Sequence, residues 1–518
     1  MSIVFRFFLL LAFVAMASCL SSRSNVMSIT ADDPNIRYTG RWNFDDAKAP
    51  WVGWQGSTVS MRFSGSTISA DIDMSGEGER LRVIVDGVPE EPARFIAPGR
   101  QDIVLASDLD PNVEHTLVLM KEAYAFTRLK LHGFETTDGK LLEMPPRPDM
   151  RIAFFGDSNM EGYSLYSEKN GSNVGTYFAY PATVSRMLGA EMTLQAVGGA
   201  TLDGPGANDV VSFVRSEAYD RENPDYRDGF EPQLIVVNAG ANDIYQVDPA
   251  QREQHAKENY RSVISALRSL YGDEPHIILK NGFGWDVDEP AGYSHEIVAE
   301  IGGNLSVHLF PWCWEQWHGD MVDHAGQARF LASYIETLGL GFSMQQDAEV
   351  VAGFSGSFDV ANGSFDVANG SFEGASRDGY GAFGWRYFED GVERIHDPEG
   401  AADGDYYIRL NAGELVHRCI DATGDLLPGP TTENQQYTIT ASIRSYGKSG
   451  EAVISADYEQ QSLYQRENAE EHIFAVSSEW SDYSATMTAP DGTWQTYFVL
   501  KSLSGDIDFD DIRVTAAP

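Results

Sequence analysis

Hydrophobic positions change their period twice along the chain. From residue 36 to about 143 the apolar residues come in short runs that alternate with polar ones or are wholly apolar. Residues 58–63 and 81–85 are the first such runs, and Asp86-Gly87 makes a tight turn after the second. Residues 116–120 and 129–134 continue the series. Period-two runs bounded by turn residues predict strands, and the absence of any helical period predicts a β-sandwich (jelly roll) over 35–146. Pro145, Pro146 and Pro148 end it, because proline supports neither helix nor ladder.

From residue 150 the pattern becomes strand and helix by turns. Apolar runs at 151–155, 191–196, 233–238, 276–280 and 305–310 predict strands buried on both faces. Between them, residues 255–271 place Tyr260, Val263, Ile264, Leu267 and Leu270 on one helical face. Residues 325–338 repeat this with Phe330, Leu331, Tyr334 and Ile335. Such alternation predicts a parallel sheet covered on both sides, a three-layer α/β/α domain of flavodoxin-like kind over 147–343. Residues 356–373 then hold a direct repeat, Gly-Ser-Phe-Asp-Val-Ala-Asn twice and Gly-Ser-Phe-Glu once. It is too short for a solenoid unit and reads as a duplicated linker over 344–373. Beyond it, 374–518 returns to runs of strand type at 406–410, 437–441, 495–500 and 507–514, which predicts a second β-sandwich.

The first 19 residues read as an export signal, with Arg6, an apolar stretch from 7 to 17 and small residues after it. Cleavage after Ala17 suits an ordinary signal peptidase, whereas Met16-Ala17-Ser18-Cys19 resembles a bacterial lipobox and would put a lipid anchor on Cys19. Either way the protein is exported, as an outer-membrane lipoprotein, a periplasmic protein or a secreted one. The apolar stretch is too short to span a bilayer. A net charge of −40 over 518 residues excludes nucleic acid as a partner, since phosphates would be repelled. Three cysteines, one of them Cys19, make no disulfide framework.

Candidate chemistry gathers at the ends of the strands in the central domain. The run 151–155 stops at Gly156, and Asp157, Ser158 and Asn159 follow where a helix should start. A serine there lies at the carboxyl end of a strand, with its N–H at a helix N-terminus. A serine hydroxyl reacts only when a base takes its proton and donors stabilise the oxyanion. Gly199 follows the second strand and Asn242 the third, so one offers a backbone N–H and the other a side-chain amide at the same sheet edge. Taken singly, each residue has a plain alternative as a turn glycine or a helix cap. Three coincidences at three successive strand ends favour a site.

Gly-Asp-Ser-Asn at 156–159, the Gly199 block and Gly-Ala-Asn-Asp at 240–243 resemble the first three blocks of the SGNH/GDSL hydrolases. The β region before them, with Val-Ile-Val-Asp-Gly at 83–87 and His-Thr-Leu-Val-Leu at 115–119, resembles the N-terminal sandwich of carbohydrate esterase family two. The resemblance implies Ser158 as nucleophile, an oxyanion hole of Ser158 N–H, Gly199 N–H and Asn242, and a histidine on the loop before the closing helix. Two histidines compete for that place. His318 has Glu315 three residues before it as an orienting carboxylate, and His324 lies nearer the family's position but has no carboxylate three residues before it. No histidine shows metal-ligand spacing, so no cofactor is expected for catalysis.

Trp285 and Trp312 follow the fourth and fifth strands, where flat aromatic faces suit sugar rings. The C-terminal region resembles jelly-roll carbohydrate-binding modules, in which Asp510, Asp511 and Glu373 offer oxygens to a structural calcium. The expected activity is removal of O-acetyl groups from a polysaccharide or oligosaccharide. A general or lipid acyl esterase is the rival within enzymes, and a non-catalytic carbohydrate-binding surface protein is the rival outside them.

Overall fold

The computed structural model describes residues 25–346 apart from 91, 164, 166–173, 205, 207, 220, 224, 246, 283–288, 311–317 and 319–320. Beyond these it describes 364–516 apart from 366–369, 374–384, 386–390, 420–435, 461–465, 469–470 and 492. The export signal, Glu315, Trp285 and Trp312 lie outside the described residues.

Five parallel strands form the central sheet: β1 (Arg151–Gly156), β2 (Glu191–Ala196), β3 (Leu234–Asn238), β4 (His276–Gly282) and β5 (Leu305–Phe310). Their order is β2-β1-β3-β4-β5, as expected where every crossover is a helix packed on one face or the other. Apolar runs without alternation are buried on both sides, and Ile152, Phe154, Val236 and Ile278 are fully enclosed. The helices that carry or border the site are α1 (Ser158–Glu161), α2 (Ala241–Tyr245), α3 (Arg252–Tyr271) and α4 (Met321–Thr337). Tyr260, Val263, Ile264 and Leu267 face the core from α3, and Leu331 and Ile335 from α4.

The register of the sheet places the site. Gly156 pairs with Ala196 on one side and with Asn238 on the other, so β1, β2 and β3 end level. A Cβ at Gly156 would lie 2.5 Å from the Asn238 carbonyl oxygen and 2.7 Å from the Met160 sulfur. Only glycine lets the chain turn there from strand into helix.

The N-terminal β region is a two-sheet sandwich of six and seven strands around its own apolar core. Residues on Thr58–Ser64 and Thr67–Met74 alternate strictly between buried and half-buried. Asp86 and Gly87 both take positive φ in the hairpin turn that joins Glu79–Val85 to Val88–Pro89.

Polar and apolar groups alike lock this sandwich to the hydrolase domain. Arg41, fully enclosed, donates to the carbonyls of Phe213 and Ser216 at 2.6 and 2.7 Å and pairs with Asp228 at 3.1 Å. Trp54 packs edge-on against Phe213 inside the hydrolase core. Gln55 donates to the last carbonyl of β2, that of Ala196. Arg82 and Glu122 form a buried ion pair at 2.9 Å, and the Glu122 carbonyl accepts the Thr176 N–H.

The C-terminal region is a second sandwich, with sheets of six and five strands around a separate core and no helix among the described residues. It begins inside the expected linker: Ser364–Phe365 pairs with the final strand, and Phe372 is buried in the core. The rest of the repeat from 356 to 369 lies outside the described residues. Of the three carboxylates considered for calcium, two accept backbone hydrogen bonds and Asp511 lies 3.2 Å from Arg513. Glu373 accepts the N–H groups of Asp405 and Tyr406, and Asp510 those of Ala402, Asp403 and Asp511. Among the described residues no three such groups are placed to hold a metal ion.

Candidate active site

Asp157 caps α1 by accepting the Asn159 N–H at 3.1 Å, and Gly162 ends the helix one turn later in the left-handed conformation. This short turn holds Ser158 at the level edge of the sheet, where its Oγ lies 2.7 Å from Nε2 of His318. Both residues are buried, and the Tyr163 ring lies 4.8 Å from the imidazole. Burial lowers the His318 pKa to about 4. The ring is therefore neutral at pH 7, as a general base must be.

The donors expected after β2 and β3 stand at the same edge. Gly198 is packed so close that a Cβ on it would be 3.8 Å from that of Ser158, and Gly199 adopts a φ of +76° that suits glycine. Neither the Ser158 N–H nor the Gly199 N–H donates to any described residue. The Asn242 amide donates to the Ala200 carbonyl at 2.9 Å, which ties α2 to the Gly199 loop. Asp243 reinforces this tie. Its buried carboxylate accepts the Leu202 N–H at 2.9 Å and the Asn259 amide at 2.7 Å.

His324 sits elsewhere. It falls inside α4, fully buried, with Nδ1 accepting the Tyr180 backbone N–H at 3.0 Å and its ring stacked on that of Tyr180. Burial and the nearby Lys280 charge lower its pKa to about 3. The expectation that His324 competes for the serine is corrected here: helix α4 starts at Met321, not at Ala325 as the apolar pattern indicates, and draws His324 into the core. His324 belongs to a polar layer beneath α1. There Tyr180 donates to Asn238 at 2.9 Å, and Lys280 lies 4.3 Å from the Tyr180 ring and donates to Gln327.

Sequence reasoning missed Glu161, Asp243, Tyr180 and Lys280. Asp243 has the look of a helix cap, and Lys280 ends an apolar strand where a charge passes for solvated. Glu161 alone carried a signal, a carboxylate one turn after the serine on the same short helix.

Comparison with known proteins accounts for the two domains together. Residues 38–146 match the model of the carbohydrate esterase 2 N-terminal domain, and residues 154–330 that of the GDSL-like lipase/acylhydrolase family. This pair of domains is similar to that of the family two carbohydrate esterases. The cellulase/esterase CelE of Acetivibrio thermocellus is 28% identical over 328 residues, 59% of this chain and 40% of that protein. An acetylxylan esterase / glucomannan deacetylase of Cellvibrio japonicus is 23% identical over 260 residues, 47% of this chain and 72% of that protein. The chain thus spans well under half the length of the first of these relatives. The structure of a family two carbohydrate esterase from Clostridium thermocellum in complex with cellohexaose superposes with a TM-score of 0.53 at 26% identity. That match covers 59% of this chain and 99% of the other.

Proposed function

We propose that the chain is a serine esterase that removes O-acetyl groups from a carbohydrate polymer or its oligomers. The observation that carries this reading is the 2.7 Å contact between Ser158 Oγ and His318 Nε2, at the sheet edge that also carries the Asn242 amide and two N–H groups that donate to no described residue. In this mechanism neutral His318 takes the Ser158 proton as the oxygen attacks the acetyl carbonyl. The oxyanion is met by the N–H groups of Ser158 and Gly199 and by Asn242. The imidazolium then protonates the leaving sugar oxygen, which departs as a hydroxyl, and a water activated by the same ring releases acetate. Each oxyanion donor contributes on the order of a hundredfold to a thousandfold in rate. Glu315 is the candidate for orienting the ring, and Trp285 and Trp312 are candidates for stacking on sugar.

Relatives named as carbohydrate esterases and an acetylxylan esterase support the choice of a sugar acetate over other esters. We further read residues 1–19 as an export signal, with Cys19 as the site of any lipid anchor, and the C-terminal sandwich as a carbohydrate-binding module. The test is acetate release from a panel of acetylated glycans. Wild type is expected to turn over at least one of them, whereas Ser158→Ala and His318→Ala lose activity and His324→Ala keeps its kcat wherever it folds. Faster turnover of long-chain nitrophenyl esters than of acetyl esters would overturn the sugar-acetate reading.

A further inference from the structure

The nucleophile's helix carries a second acid that the mechanism above does not use. Glu161 is 2% exposed, and its Oε2 accepts the Gly198 N–H at 2.7 Å. Gly198 immediately precedes the oxyanion donor Gly199, so this one bond fastens the oxyanion loop to α1, which also bears Ser158. The contact is close enough that a Cβ on Gly198 would stand 3.3 Å from the Glu161 oxygen.

A bare carboxylate beside an oxyanion hole would oppose the negative charge that the hole must stabilise, most strongly where water is excluded. Burial supplies the remedy by favouring the uncharged acid, and the neighbouring sandwich places a cation in its surroundings. Lys121 is fully buried, its ammonium 3.7 Å from Glu79 and donating to the carbonyls of Ala123 and Tyr124. Thr127 in turn donates to Glu79 at 2.8 Å. Burial pushes Glu161 up to about 8 and Lys121 down to about 8, and each charge works against the other's shift.

We propose that Glu161 is a positioning residue that sets the oxyanion loop against the nucleophile. The proposal rests on the esterase reading above. It separates two properties of Glu161, an acceptor oxygen and a charge. Glu161→Gln keeps the acceptor for Gly198 and leaves Lys121 its partner Glu79. Glu161→Ala removes the acceptor.

The experiment measures kcat and KM for acetate release and the hydrogen exchange of the Gly198 amide, in the full chain, with melting temperatures as a check on folding. Glu161→Ala is expected to lower kcat by about tenfold to a hundredfold, the range for a misplaced catalytic group, with KM within about twofold. Its Gly198 amide should lose protection. Glu161→Gln is expected to lower kcat by no more than about threefold and to keep the amide protected. Equal losses in Glu161→Ala and Glu161→Gln, or unchanged Gly198 exchange in Glu161→Ala, would overturn the proposal. A wild type that releases no acetate would sink the esterase reading, while the Gly198 exchange would still test the clamp.

Discussion

The two β-sandwiches are built alike and used differently. Each has two antiparallel sheets over an apolar core, and each buries an acid–base pair, Arg82 with Glu122 in the first and Asp508 with two arginines in the second. The first turns its buried charges outward into the hydrolase domain. Arg41 reaches the carbonyls of Phe213 and Ser216, and Gln55 reaches the end of β2. Between described residues, the second keeps its polar contacts to itself: Arg409 and Arg444 both close on Asp508, and Arg444 and Trp480 both donate to the Gly400 carbonyl. A buried cation needs acceptors wherever it ends. Where those acceptors belong to another domain, the two domains become one folding unit.

The largest test of this difference is truncation. A chain ending at residue 346 is expected to fold and to hydrolyse soluble acetyl esters within about twofold of the full-length rate. A chain lacking residues 25–146 is expected to yield no folded hydrolase, because Phe178 under Arg82, Phe213 against Trp54 and the end of β2 would lose their cover. Circular dichroism and acetate release read both outcomes, and an active hydrolase without the first sandwich would break the comparison.

Single residues sharpen it. Arg41→Ala removes a donor from two carbonyls and leaves Asp228 buried with only the Tyr271 hydroxyl and the Phe230 N–H among described donors, so a destabilisation of about 3–5 kcal/mol is expected, with loss of activity on warming. Asp508→Ala removes the acceptor of two arginines that are 14 and 18% exposed and can partly rehydrate, so about 2–3 kcal/mol is expected. That loss should appear only in the melting of the second sandwich, with acetate release unchanged. A fall in activity in Asp508→Ala would show coupling that the structure does not contain.

Next comes the pH profile. His318 must be neutral to accept the serine proton, and its pKa is lowered to about 4. Activity is therefore lost as pH falls through that value and is level above it. The ratio kcat/KM is expected to show an acid limb that is the same in the full chain and in the chain ending at 346, centred near pH 4 where burial alone acts on the ring and at the ordinary histidine value of about 6.5 or above where the Glu315 carboxylate faces it.

Much of the architecture is legible because burial leaves a period. The five runs that become β1 to β5 differ from the structure by two residues at most, since a strand covered on both faces is mostly apolar along its length. The Asp86-Gly87 turn is readable because two consecutive positive φ angles demand those residue types. The level ends of β1, β2 and β3 follow from strand order, and that is why Ser158, Gly199 and Asn242 can be placed at one edge from sequence alone. What sequence does not carry is long-range pairing of polar groups. Nothing around His324 says that the Tyr180 N–H will take its Nδ1, and nothing around His318 says that its loop will bring it back to the serine. The seam is hidden for the same reason, because Arg41, Trp54 and Lys121 look like ordinary members of a β pattern. Ser-Phe at 364–365 reads as linker because pairing with a strand about 150 residues later leaves no local trace.

The smallest expected effect is on stability as a function of pH, and it again divides the molecule. In the second sandwich burial, with Asp403 nearby, raises Asp510 to about 7, and Asp511 is raised for similar reasons. A carboxyl raised above its unfolded value near 3.8 contributes stability that is fully present below that value and is lost as pH rises through about 7. The melting temperature of this sandwich should therefore fall by a few degrees between pH 5 and 8, each tenfold difference in proton affinity between folded and unfolded chain being worth about 1.4 kcal/mol. In the first unit the groups oppose one another. Asp157 and Glu161 are raised to about 7 and 8, whereas His318 and His324 are lowered to about 4 and 3 and lose stability as pH falls below 6.5. Acidification from 6.5 to 5 thus strengthens one set and weakens the other, and the first melting transition should stay nearly level over that span. Two transitions of equal slope in scanning calorimetry would mean that the buried groups of the two regions are not arranged in the opposing and unopposed fashion described.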